Sequence, residues 1–195
     1  MKSLRFMLCM GVISLSTFAL LWPGTASAAE SDAQNSFDKL KTLAGTWQGP
    51  ITVDPPQEDM KNGTLGQVSL RVTSRGNALV HEMYDPNKPD DPTRYDHPLT
   101  TFYLDGDRLI LTHYCDAGNR PRMVARPSPD GKKVEFDFAD LSGGNDYGHM
   151  YHAVFTIIDA NHHIEDWTYM MPGDKPVHAH FDLQRKKGGS GGAGK

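Results

Sequence analysis

The chain has 195 residues, of which 38% are hydrophobic and 23% charged, and its net charge at neutral pH is −4. An acidic balance disfavours nucleic acid or an anionic membrane surface as a partner. The length suits one domain of ordinary size behind an N-terminal leader.

Residues 1–28 have the pattern of a signal peptide. Lys2 and Arg5 form a charged start, Met7 to Trp22 is mostly apolar, and Ala26-Ser27-Ala28 supplies a cleavage site. Ser14, Ser16 and Thr17 interrupt the apolar run. A spanning helix needs about 20 apolar residues, so no stable membrane anchor is expected. Cys9 lacks the preceding small residue of a lipoprotein signal. The expected location is secreted, in the periplasm. Loss of Lys2 and Arg5, with all 24 acidic residues kept, deepens the net charge from −4 to about −6. Cys115 is then the only cysteine, so no internal disulfide can form and the fold must depend on its core. Such an unpaired thiol is expected to be buried.

The domain is expected over residues 29–185. Ser31 to Leu43 reads as a short helix, with Ser31 and Gln34 as a capping box and Phe37, Leu40 and Leu43 as one apolar stripe. A helix this short must lie on something larger. After Gly45 the period changes to two. Strands are predicted over 46–53, 67–73 and 78–84, with Val68, Leu70 and Val72 sharing a face. Asp85 to Pro98 holds four prolines and four aspartates, which no sheet interior tolerates. It reads as a long surface loop, and as a candidate lid. Further strands follow over 99–104, 108–115, 121–126, 133–139, 149–158, 163–170 and 177–184. Asp105-Gly106 and Asp130-Gly131 supply tight turns between them. The Gly-rich tail, 186–195, is expected to be disordered.

These are about ten short strands with no second helical pattern to act as a crossover, which points to an all-β antiparallel meander. Such a meander removes its open edges by closing into a single β-barrel, here with the helix across one end. A two-sheet sandwich is the alternative architecture. A barrel of this size has room for one small ligand.

The segment Phe37-Asp38-Lys39-Leu40-Lys41-Thr42-Leu43-Ala44-Gly45-Thr46-Trp47-Gln48-Gly49 resembles the entry into a lipocalin-like, or calycin, barrel. In that fold a short helix precedes a Gly-x-Trp element whose Trp closes one barrel end. The Gly-Thr-Trp-x-Gly form looks most like the ten-stranded nitrobindin and fatty-acid-binding-protein-like branch. Phe37 to Leu183 as a whole is similar to secreted bacterial lipocalin-like domains of unknown function. Nitrobindins hold haem through a histidine on a late strand, and the resemblance puts His178 at a similar place. Pro50 departs from the extended pattern, which has a further glycine. Phasing also places Val177, Ala179, Phe181 and Leu183 on one face, turning His178 and His180 away with Asp182. No cofactor is therefore expected, and haem through His178 is the alternative.

The run Leu109 to Met123 carries the most unusual chemistry. Leu109, Leu111, His113 and Cys115 share one face, and Ile110, Thr112 and Tyr114 the other. The His113 and Cys115 face is expected to point inward, because cysteine prefers burial. Arg122 is expected at the barrel mouth as a two-pronged clamp for a carboxylate. His81 or Glu82 gives a second polar insertion, and His152 lies in phase with Met150, Val154 and Thr156. Trp47, Phe136, Phe138, Phe155, Trp167 and Phe181 read as strand core.

The expected function is secreted binding of a small, largely apolar molecule with a polar or acidic end, by a monomer or homodimer. Arg122 and His113 would contact the polar end, and Trp167 and Met123 the apolar part. Glu82, Cys115 and His152 complete the candidate lining. Three alternatives stand beside it. His113 with His81, His149 or His152, or the pair His178 and His180, can form a metal site. His113 can act in a hydrolase or isomerase, with Cys115 as nucleophile beside Arg122 or with Glu82 as a carboxylate partner. A filled interior would mark a purely structural barrel.

Overall fold

The computed structural model describes residues 31–58, 63–114, 116–126 and 131–187. The expected signal peptide, the burial of Cys115 and positions 188–195 of the expected disordered tail, 186–195, lie outside these; Lys186 at the start of that tail is held, its backbone N–H donating to the Thr46 carbonyl at 2.9 Å.

Helix α1 (Asp32–Lys41) starts at Ser31, whose Oγ accepts a hydrogen bond from the Gln34 backbone N–H at 3.2 Å. Only this half of the capping box forms. The Gln34 side chain donates instead to Asp38 Oδ2 at 2.9 Å. Phe37, Leu40 and Leu43 are buried, as their spacing predicts.

Ten strands follow: β1 (Gly45–Asp54), β2 (Thr64–Thr73), β3 (Ala78–Tyr84), β4 (Leu99–Asp105), β5 (Arg108–Tyr114), β6 (Arg120–Arg126), β7 (Lys133–Ser142), β8 (His149–Asp159), β9 (His162–Met171) and β10 (Lys175–Arg185). Each pairs antiparallel with its neighbour in sequence, and β1 pairs with β10 to close the barrel. The sandwich alternative is thereby set aside. Several strands outrun their predicted ends. β2 begins at Thr64 because Thr64 and Leu65 pair with Ile51 and Pro50, and β7 reaches Ser142 because it pairs with Arg120. Ladder pairing carries the strands through Gly66, Asp140 and Ser142, whose own strand propensity is weak.

A closed meander sends alternate connections to opposite ends. The β1–β2, β3–β4, β5–β6, β7–β8 and β9–β10 connections share one end, which forms the mouth. The other four connections and α1 form the base. There Trp47 is fully buried and its Nε1–H donates to the Leu43 carbonyl at 2.7 Å. The Arg185 guanidinium lies 4.0 Å over the Trp47 ring and donates to the carbonyls of Ala44, Thr42 and Ala160. Gly49 has a packing role: a Cβ there would collide with the Asp182 carbonyl, so β1 and β10 close only around a hydrogen. The Gly-Thr-Trp-x-Gly segment thus belongs to barrel closure. Arg185→Lys keeps the charge but loses the planar fork, and is expected to cost about 1 kcal/mol in urea unfolding. An unchanged midpoint would show that the stacking adds nothing.

Above the base the interior is filled. Phe102, Phe136 and Phe155 pack with ring centroids 5.4–6.1 Å apart, among Leu79, Leu111 and Met123. Among the described residues no helix is long and apolar enough to cross a membrane.

Candidate functional site

Alternation along β9 turns His163, Glu165 and Trp167 inward, and along β3 it turns Leu79 and His81 inward. These side chains meet in the barrel interior. Glu165 is fully buried, and its carboxylate accepts from three donors. His81 Nε2 lies 2.9 Å from Oε2 and 3.2 Å from Oε1, His163 Nε2 lies 2.9 Å from Oε1, and the Trp167 Nε1–H donates to Oε2 at 3.0 Å. A carboxylate can only accept, so both histidines carry their donated proton on Nε2. Burial pushes the Glu165 carboxyl up. The charge of His81 and the hydrogen bonds from His163 and His81 together outweigh it and hold the group well below the usual carboxylate range. The Nδ1 atoms of His81 and His163 are buried without a hydrogen-bond partner. The Trp47 ring meets His163 edge-on at 4.2 Å, which joins this network to the base.

One layer nearer the mouth lies a cavity of about 240 Å³. Its walls are mostly apolar: Val53 from β1, Met83 from β3, Met150 from β8, Trp167 from β9, and Val177, Ala179 and Phe181 from β10. Pro98 and Asp96 of the 85–98 loop and Asp116 of the β5–β6 turn stand at its opening. His113 enters from β5 and is 1% exposed. Its Nδ1 pairs with Thr100 Oγ1 at 2.8 Å, and its ring lies 5.7 Å from that of Trp167. Thr100 takes Nδ1, and among the described residues no hydrogen bond reaches Nε2 of this cavity-lining ring. It is therefore the ring nitrogen left to the cavity. Burial first, and the charge of His81 second, lower the His113 pKa to about 3. The ring is neutral at ordinary pH.

Of the residues singled out from the sequence, His113 and Trp167 line this cavity together. Met123 is buried in the filled layer beside Phe102 and Phe136, and it is not among the cavity walls. The others point outward. Arg122 lies on the barrel exterior, where its Nε and Nη2 donate to Asp140 at 2.6–3.1 Å. Its neighbour Met123 takes the inward position, so alternation turns the guanidinium out. Glu82 sits one residue out of phase with His81 and faces outward for the same reason. His152 is also outside, with Nε2 3.0 Å from Glu135 Oε1. A bulge at Met150/His152 breaks the expected phase, so Met150 reaches the cavity while His152 does not. The His149 ring packs tilted against Phe138 at 4.6 Å, and Phe138 stacks on the exposed Tyr151. His178 is exposed on β10, with Nδ1 3.0 Å from Thr168 Oγ1, so it does not fit the role of a haem ligand in the lumen. His180 pairs with Asp166 on the same outer face. Cys115 lies outside the described residues. Glu135, Asp137 and His152 form an acidic cluster on the exterior, where Arg126 already bridges both carboxylates.

Glu165 and His163 escape sequence reasoning. Their signal is the His163-x-Glu165-x-Trp167 spacing, which puts three hydrogen-bonding side chains on one strand face.

No protein-family model matches the chain, and no curated protein matches it. Solved structures do share its fold. Rv2717c from M. tuberculosis superimposes with a TM-score of 0.57 at 12% identity, over 78% of this chain and 98% of that one. A protein of unknown function from the DUF3598 family of Nostoc punctiforme PCC 73102 superimposes with a TM-score of 0.51 at 10% identity. That match covers 75% of this chain and 48% of the other. At such identities the likeness concerns the barrel alone.

Proposed function

We propose that this is a secreted binding protein whose barrel holds one small, largely apolar molecule with a single polar end anchored on His113. The observation that carries this reading is the cavity of about 240 Å³, walled mostly by apolar side chains and lined by His113, whose Nδ1 is taken by Thr100 and whose Nε2 is the ring nitrogen left over. An apolar recess with few convergent polar groups is what a small-molecule site requires. The space equals about eight waters at ~30 Å³ each, which suits a compact ligand of one or two rings. Leaving His113 Nε2 without a partner in so apolar a place costs free energy that a ligand hydrogen bond recovers. A ring neutral down to about pH 3 is a weak base at neutral pH, which favours anchoring over proton abstraction.

Native mass spectrometry of protein purified from the periplasm tests the reading. A co-purifying mass that His113→Leu lowers at least severalfold in occupancy is expected. A ligand-free spectrum, together with no uptake of small aromatic probes, would overturn it.

A further inference from the structure

The position of the charges around the cavity bears on what its ligand can be. The charged residues among its walls are Asp96 and Asp116, both acidic and both at the opening. No lysine or arginine stands among the described wall residues. Arg122, the cation expected to clamp an acid, is on the far side of the strand and bound to Asp140. Lys88 belongs to the 85–98 loop but lines a neighbouring recess and lies over the Tyr95 ring. Beneath the cavity floor, Trp167 donates to the ionised Glu165. A carboxylate entering this space would pass two acidic side chains and find no lysine or arginine among the described wall residues to meet it. Burying an unpaired carboxylate is expensive. A neutral hydroxyl faces no such cost and can hydrogen-bond the open Nε2 of His113, as donor or acceptor according to the tautomer that Thr100 selects.

Resting on the binding reading above, we infer that the cavity takes uncharged, hydroxyl-bearing apolar molecules of the phenol or alcohol class and rejects the corresponding carboxylic acids. Two features carry this independently: the acidic rim without a wall cation, and the buried His113 nitrogen open to the cavity. Trp167 and Phe181 supply flat apolar surface for a ring.

Calorimetric titration of the whole protein at neutral pH with 2-naphthol and with 2-naphthoate, which match in size and shape, decides the matter. The naphthol is expected to bind about tenfold tighter or better. The exposed double substitution Asp96→Asn with Asp116→Asn, which leaves the interior untouched, is expected to narrow that preference severalfold. Equal or tighter binding of the naphthoate would overturn this inference while leaving the binding reading in place. Failure of both probes to bind would overturn the two together.

Discussion

Replacing Glu165 with alanine is expected to destabilise the barrel by about 3–5 kcal/mol, the usual cost of removing one partner from a buried charged network. Three donors, His81 Nε2, His163 Nε2 and the Trp167 indole, would lose their acceptor in a place without solvent. A loss of that size is a large share of a domain's total stability. Glu165→Gln should recover part of it, because the amide oxygen accepts one or two of the three bonds. Its NH2 group, however, must face a histidine that is itself a donor, unless that ring changes tautomer. Urea unfolding of both variants measures the effect. A change below about 1 kcal/mol in Glu165→Ala would mean that the three donors find other partners and that the network does not organise the interior.

The second large effect is a loss of stability on mild acidification. His113 has a folded pKa of about 3 against an ordinary 6.5, so between these values the unfolded chain binds a proton that the folded chain refuses. Stability is complete above pH 6.5 and falls as the pH drops toward 3. Moving from about pH 7.5 to about pH 5 should therefore cost about 2 kcal/mol through this residue. Glu165 has the same sign in a lower window. Its folded pKa is depressed below 4.5, so its contribution persists through pH 5 and is lost only in stronger acid. The groups facing His113 are Thr100, His81 and Trp167, with Asp96 and Asp116 at the opening. His113→Leu should flatten the profile over this window by about 2 kcal/mol. An identical profile in that variant would place the acid-sensitive proton elsewhere.

The barrel was legible because its strands alternate and its turns carry Asp-Gly pairs. On β5 alternation left two fairly apolar faces, and the inward one was chosen by the preference of cysteine for burial. The network was not legible, for a physical reason. On β9 both faces carry polar groups, with Asp166 and Thr168 opposite His163 and Glu165, so no apolar period marks the inside. What compensates Glu165 is His81, 84 residues away in sequence and brought near only by closure of the barrel. Glu82 and Arg122 show how a single-residue shift decides a site. Each adjoins an inward residue, His81 or Met123, and so faces solvent. His152 went astray through a bulge, which periodicity does not reveal. Arg122 mattered most, because the acidic end expected of the ligand rested on its guanidinium.

The most direct test of the central claim is the nitrogen NMR signal of His113, followed through a pH titration and then through a titration with 2-naphthol. A neutral ring down to about pH 4 is expected, with Nδ1 held by Thr100 and insensitive to ligand, and with Nε2 shifting as the naphthol saturates. A ring that takes up its proton near the ordinary 6.5, or an Nε2 signal unmoved by saturating naphthol, would contradict it.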